Sequence, residues 1–365
     1  MAERFKSTAD RIVRLRRLLR PHGAAALLVN DPVNVGYLSG FTGDDSWLLA
    51  GPGKPWLITD FRYVEQAEIE CPRIGRIMRK GTLVEALAKR VCQKRLTTLA
   101  YDPETVSVYL RSQLVKRLKG VRLIPVRGVV SGLRMRKDAG EIRAIEAALR
   151  VAEHAFHMFR RRVDLGMTEQ RLAAELDHQM RLAGAEAVAF PTIIAIDASA
   201  SMPHARPGNR RLKRGSILLV DFGAQVAGYV CDLTRVLIAG RIRPLVRSAY
   251  ELVYKAQAAG IDKVGPGVPL TEVDAAARHI IQDEGLNDAF QHGLGHGFGR
   301  QVHEGPSIGP RGVKGNLDPG MVVTIEPGVY LKGRFGIRIE DDVLVTETGH
   351  RVLSHLEKDL EAMVL

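Results

Sequence analysis

Apolar runs that end in a carboxylate constrain this chain more than any other feature. Ser216-Ile217-Leu218-Leu219-Val220 leads into Asp221 and then Phe222-Gly223, and Met321-Val322-Val323-Thr324-Ile325 leads into Glu326 before Pro327-Gly328 stops it. Each reads as a buried strand with an acid at its end, where carboxylates are avoided unless they are paired or bound to a metal. Asp232 follows Gly228-Tyr229-Val230-Cys231, so a hairpin of two short strands is expected to bring it face to face with Asp221. Glu340 alternates with Arg338 along Gly336-Ile337-Arg338-Ile339-Glu340, a period of two that turns both charged side chains to one face. Arg338 is then placed to orient a neighbouring carboxylate.

Taken alone, the two aspartates are equally well read as strand-end carboxylates satisfied by backbone donors or by Arg235, and for either glutamate alone a strand-edge salt bridge is the better reading. The stretch His292-Gly293-Leu294-Gly295-His296-Gly297-Phe298-Gly299-Arg300-Gln301-Val302-His303 changes that balance. Its glycines remove side-chain bulk around an imidazole and allow close backbone approach. Asp221, Asp232, His296, Glu326 and Glu340 together form a set of four carboxylates and one imidazole, able to hold two divalent cations and a bridging hydroxide. Ligation dominated by hard carboxylates favours Mn²⁺, and the imidazole also admits Co²⁺ or Zn²⁺.

The local motifs, Val-Asp-Phe-Gly at 221, Asp-Leu-Thr-Arg at 232, His-Gly-Leu-Gly-His-Gly at 296, Ile-Glu-Pro-Gly at 326 and Arg-Ile-Glu-Asp at 340, resemble the dinuclear-metal motifs of the creatinase/aminopeptidase P/prolidase family, metallopeptidase family M24. Asn34-Val35-Gly36-Tyr37-Leu38-Ser39-Gly40-Phe41-Thr42-Gly43 and Ile58-Thr59-Asp60-Phe61-Arg62-Tyr63 look like the leading domain of bacterial Xaa-Pro peptidases. The resemblance implies an α/β (α+β) fold in which a creatinase-type α/β domain precedes a pita-bread catalytic domain. It implies that Asp232 and Glu340 bridge two metals, that Asp221 completes one and that His296 with Glu326 completes the other. Glu326 would also serve as general base or proton shuttle. His204, in Ser201-Met202-Pro203-His204, and His303 would be substrate-side histidines; His292 lines the same region, and Arg338 supports the ligands. The expected activity is removal of the first residue from peptides with proline second, that is, an Xaa-Pro aminopeptidase acting as a homodimer. The alternatives are an Xaa-Pro dipeptidase (prolidase) or a binding protein on the same fold. Residues 195–200, Ala-Ile-Asp-Ala-Ser-Ala, depart from the Ala-Ser-Gly that the family often carries before the first histidine.

A chain of 365 residues exceeds the size at which one core keeps growing, so two domains are expected, 1–131 and 132–365. In the first, a basic amphipathic helix is expected over 8–20, strands over 24–30, 47–50 and 56–59, and helices over 82–95 and 107–118. In the second, Ile142, Ile145, Leu149, Ala152 and Phe156 mark a long helix from about 138 to 162. A faint duplication follows: a Thr cap at 168 opens one helix, and Leu270-Thr271-Glu272 reads as opening another the same way.

Cys71, Cys92 and Cys231 form no Cys-x-x-Cys pair, which argues against a disulfide framework or a thiolate metal site. No run has the length of a membrane span or the apolar core of a signal peptide, and a cytoplasmic protein with no membrane partner is expected. The formal net charge of +12 includes the dense tract Arg11, Arg14, Arg16, Arg17 and Arg20, whose apolar neighbours recur at helical spacing. With no recognised nucleic-acid fold beside it, no specific nucleic-acid partner is expected, and the charge is compatible with salt-sensitive, nonspecific retention on DNA.

Overall fold

The computed structural model describes residues 2–310 and 314–365, with side chains from residue 8 onward in the first helix. The chain divides into two compact units, Met1–Arg134 and Met135–Leu365. A helix over Val129–Met135 runs through the expected boundary at 131, so the division falls at its last turn.

The first unit is built on a six-stranded sheet with the order Gly75–Met78, Trp56–Thr59, Trp47–Ala50, Leu27–Val29, Thr98–Tyr101, Arg122–Pro125. Five strands run the same way; Trp47–Ala50 alone is antiparallel to both of its neighbours. Nearly continuous apolar runs such as Trp47-Leu48-Leu49-Ala50 fit a sheet covered on both faces. Ile12, Leu15 and Leu19 of the first helix pack with Val35 and Leu38 on one face, and Leu87, Val91, Leu114 and Leu118 pack on the other. That first helix spans Ala2–Leu19, beginning before the expected 8, while Arg14 and Arg17 remain on its solvated side.

The second unit repeats a helix pair followed by antiparallel strands. Ala139–Arg160 packs on Glu169–Leu182, and Pro244–Asp262 packs on Leu270–Asp283. Asp138 and Glu141 close a reciprocal capping box at the first of these helices, and Thr168 caps the second through the Arg171 N–H at 3.2 Å. Thr271 does not cap the fourth helix. Pro269 holds the N-cap position at φ −60°, ψ 135°, and the Leu270 N–H is bound to Gly315 O at 3.1 Å, so the helix opens before the threonine. A proline with fixed φ and no N–H to satisfy begins a helix without a side-chain cap.

Two sheets matter for chemistry. One places Ile217–Phe222 between Ile193–Ile196 and Leu233–Ile238; the other has the order Glu304–Ile308, Gly295–Gly297, Val322–Ile325, Asp341–Val345, His350–Val352. A ribbon of Gly328–Leu331 and Phe335–Arg338 joins the third and fourth strands of the second sheet in sequence. Phe156 of the long helix stacks on Phe222 at 5.2 Å between ring centroids, tying the helical layer to the strand that carries Asp221.

Within the strand Leu233–Ile238, Arg235 is fully buried. Its guanidinium donates to Thr234 O at 2.9 Å, Leu356 O at 2.8 Å, Glu357 O at 3.0 Å, Glu340 O and the Asp341 carboxylate at 2.7 Å. Asp341 also receives Gln257 at 2.9 Å, Ser354 at 2.8 Å and Lys358. A buried charge is tolerated only when so fully partnered.

Candidate metal centre

The acids that the sequence singles out converge, although not by the expected route. Asp221 lies in Ile217–Phe222 opposite Thr234, not opposite Asp232. A second hairpin, Ala224–Val226 with Tyr229–Val230, takes up the intervening residues. Because alternate residues share a face, Asp232 and Thr234 both point toward Asp221, and the two acids are diagonal neighbours. Glu340 sits between the strands Phe335–Arg338 and Asp341–Val345. Carboxylate oxygens of Asp221, Asp232 and Glu340 all lie within 4.8 Å of one another, and all three residues are buried.

His296 enters from Gly295–Gly297. The glycines beside it are obligatory: a Cβ at 295 would lie 2.0 Å from Thr324 O, and one at 297 would lie 2.1 Å from Gly305 O. The His296 Nδ1 faces Gly297 O at 3.2 Å, which leaves Nε2 toward the acids, 3.3 Å from Glu326 and 3.8 Å from Asp232. Glu326 directly follows Val322–Ile325, and its backbone N–H is held by Leu294 O at 2.8 Å.

Three hydroxyls that sequence reading missed organise these ligands. Thr234 donates to Glu340 at 2.7 Å and accepts from Arg338 Nε at 3.0 Å. Thr324 donates to Glu326 at 3.3 Å and accepts from the His296 N–H at 3.1 Å. Tyr330 accepts from Arg338 Nη1 at 2.8 Å and lies 3.0 Å from His292 Nε2, whose Nδ1 is 2.7 Å from Gly293 O. The carbonyl fixes the proton on Nδ1, so the tyrosine donates to Nε2. Each hydroxyl stands two residues along a strand or strand end from a chosen residue, or diagonal to one across the Gly328–Arg338 ribbon. Period-two spacing was the available signal.

Arg338 Nη2 donates to Asp221 Oδ2, as its alternation with Glu340 suggested. The other oxygen, Asp221 Oδ1, is buried and has no hydrogen-bond partner among the described residues. His303 packs against His296 at 4.3 Å between centroids with the rings tilted by 59°, and His204 and His303 both act electrostatically on Asp221. The extra acid of the 195–200 loop is turned elsewhere. Asp197, at φ 45°, accepts from the Ile217 N–H at 3.1 Å and pairs with Arg243.

Electrostatically the cluster is unbalanced without cations. Burial, then the charge of Glu340, pushes Asp232 well above the ordinary carboxylate range. Burial and Glu326 do the same to Glu340, and burial raises Glu326 itself to about 7. Burial, followed by Arg338, lowers His292 to about 4, and burial, followed by His303, lowers His296 to about 4, so both imidazoles are neutral at pH 7. Crowded buried carboxylates, a neutral imidazole aimed at them and an orphaned carboxylate oxygen suit a divalent cation.

The chain's relationships agree. The model of metallopeptidase family M24 matches residues 143–347, more than half of the chain, and that of the creatinase/prolidase N-terminal domain matches 11–136. The chain belongs to metallopeptidase family M24. It is similar to an X-Pro aminopeptidase from Thermotoga maritima MSB8, with 36% identity, a TM-score of 0.90 and coverage of 96% of this chain and 100% of that one. It is also similar to a Xaa-Pro dipeptidase from Bacillus anthracis, with 31% identity, a TM-score of 0.94 and coverage of 98% and 100%. A Xaa-Pro dipeptidase of Pyrococcus furiosus is 31% identical over 353 residues, 96% of this chain and 99% of that protein. As a member of M24 the protein is a metal-dependent peptidase with a creatinase-type domain ahead of a pita-bread domain. No helix of the described residues is long and apolar enough to cross a membrane.

Proposed function

We propose that the protein is an Xaa-Pro dipeptidase. The observation that carries this reading is the convergence of Asp221, Asp232, Glu340, Glu326 and His296 in a chain matched along almost its whole length by Xaa-Pro dipeptidases. The sequence alone leaned toward an aminopeptidase. The dipeptidases and prolidases among the solved relatives, including a prolidase from Pyrococcus horikoshii OT3 at TM-score 0.90, shift the weight to the smaller substrate. The aminopeptidase remains the second reading because the Thermotoga maritima structure has the higher identity of the two compared above.

In this reading Asp221, Asp232, His296, Glu326 and Glu340 would together hold two divalent cations, with Asp232 and Glu340 contributing to both. Mn²⁺ is the preferred ion, with Co²⁺ or Zn²⁺ as substitutes. Bound cations would supply a nucleophilic water near neutral pH and polarise the scissile carbonyl. The chain's own residues do the rest. Glu326 takes and returns the proton, held in register by the Thr324 hydroxyl. Arg338 fixes Asp221 and, through Tyr330, sets the His292 ring. His204 and His303, at the Asp221 side, hold the substrate's scissile peptide.

Product analysis by mass spectrometry with Mn²⁺ tests the reading, using Ala-Pro, Ala-Pro-Ala and a longer Xaa-Pro peptide, with Glu326→Gln as control. Cleavage of Ala-Pro alone is expected. Release of the first residue from the longer peptides would move the assignment to an aminopeptidase, and no metal-dependent cleavage of any of them would refute both.

A further inference from the structure

The charge of this protein is distributed in an unexpected way. Met1–Arg134 carries 24 Lys and Arg against 12 Asp and Glu, whereas Met135–Leu365 carries 29 of each. The first unit therefore holds the whole net charge of +12, and the catalytic unit is formally neutral.

Within the first unit the topology sorts the charge again. Five of its six strands run the same way, so their entries, together with the exit of Trp47–Ala50, lie at one end of the sheet. The connections at that end, 20–26, 51–55, 71–74, 94–97 and 118–121, contain no Asp or Glu. They and the first residue of the edge strand supply Arg20, Lys54, Arg73, Lys94, Arg95, Lys119 and Arg122, all exposed. Apart from Arg73, these residues have no carboxylate partner among the described residues. The nearest acids along the chain are occupied: Glu70 accepts from Thr42, and Glu68 pairs with Arg76. The opposite end is self-compensated, with Arg62 and Arg79 on Asp45 and Asp60, and Arg127 on Glu104.

We propose that this basic rim binds the phosphate backbone of duplex nucleic acid without sequence preference. Six strands spaced about 4.8 Å apart make a row of about 24 Å, long enough to follow several phosphates of a duplex. Nothing at the rim reads bases. Its aromatic, Trp56, is covered by the Arg90 guanidinium at 3.3 Å and approached by Lys94 at 5.9 Å, and single-strand binding depends on bare aromatic platforms. Nor does the rim offer a wedge for lipid: Ile74 and Leu118 are buried, and Leu96 and Val121 are half-buried.

The test is fluorescence anisotropy of the full chain with a labelled 24-base-pair DNA duplex of arbitrary sequence, between 50 and 200 mM salt. If five rim cations each neutralise a phosphate, the logarithmic salt slope is about −4.5, a loss of about 500-fold in affinity over that range. Substituting Lys54, Lys94, Arg95, Lys119 and Arg122 by Gln is expected to abolish most of the binding while peptidase activity is kept. A control with Arg150, Arg161, Lys213, Arg241 and Lys255 changed to Gln has the same net charge and is expected to bind like the parent. Equal losses in both variants, or duplex binding that survives the rim substitutions, would overturn the proposal. So would rim-dependent binding to phosphatidylserine vesicles without DNA binding, which would assign the surface to a membrane.

Discussion

Replacing Arg235 by Met tests whether its buried clamp holds the ligand strands in place. The substitution strips hydrogen bonds from four backbone carbonyls, those of Thr234, Glu340, Leu356 and Glu357, and one from Asp341. Breaking a buried pair from one side costs about 3–5 kcal/mol, and each carbonyl left dry adds about 1 kcal/mol or more. Lys358, Gln257 and Ser354 still serve Asp341, and water will reach the two tail carbonyls, so a net loss of about 4 kcal/mol is expected. That is a large share of the roughly 5–15 kcal/mol that holds a typical protein folded. Urea denaturation of the metal-free chain reads it directly. Asp341→Asn and the double variant complete a cycle, with a coupling of about 2 kcal/mol expected for the pair. A loss below about 1 kcal/mol, or additive single effects, would show that the clamp is incidental to the fold.

Tyr330→Phe removes only the hydroxyl between Arg338 and His292, so turnover should fall about 10- to 100-fold with Mn²⁺ affinity nearly unchanged, as steady-state kinetics and calorimetry would report. In the metal-free chain, carboxyls raised by burial gain protons on folding, so stability should fall as pH rises from 6.5 through the Glu326 value of about 7. Below 6.5 the fall is shallower, because His292 and His296 stay neutral when folded and bind protons when unfolded, offsetting part of the carboxyl contribution. The rise in Tm on adding Mn²⁺ should therefore be greater at pH 8 than at pH 6, and an equal rise at both would contradict this. Ala227 occupies a left-handed φ of 51° at a two-residue hairpin tip, with its N–H on Glu186 at 2.9 Å. Ala227→Asn should stabilise the chain by about 0.5–1 kcal/mol, measured by the same urea titration.

Much of the site was legible in the sequence for a physical reason. An acid directly after a four- or five-residue apolar run has no ordinary reason to be there, and glycines flanking a histidine announce close backbone approach. Both signals are local, and Asp221, Glu326 and His296 carried them. Register is not local. That Asp232 lies diagonal to Asp221 depended on a second hairpin inside the first, and Thr234, Thr324 and Tyr330 look like ordinary strand residues until the pairing is known. The long helix was visible because Ile142, Ile145, Leu149, Ala152 and Phe156 recur at helical spacing, whereas the capping box of Asp138 and Glu141 that opens it was not read. The start of the helix Leu270–Asp283 was set by a proline and by a bond to Gly315, far away in sequence, which no local reading of Thr271 contains.

The central claim is that five side chains form one centre for two cations, and the most direct measurement is the number of ions bound. Calorimetric titration of the metal-free protein with Mn²⁺, checked by elemental analysis of the dialysed complex, should give two per chain. Asp232→Ala and Glu340→Ala should each abolish tight binding of both ions, because each residue is read as shared. A single tightly bound ion, or one whose affinity is indifferent to Glu340→Ala, would contradict the account.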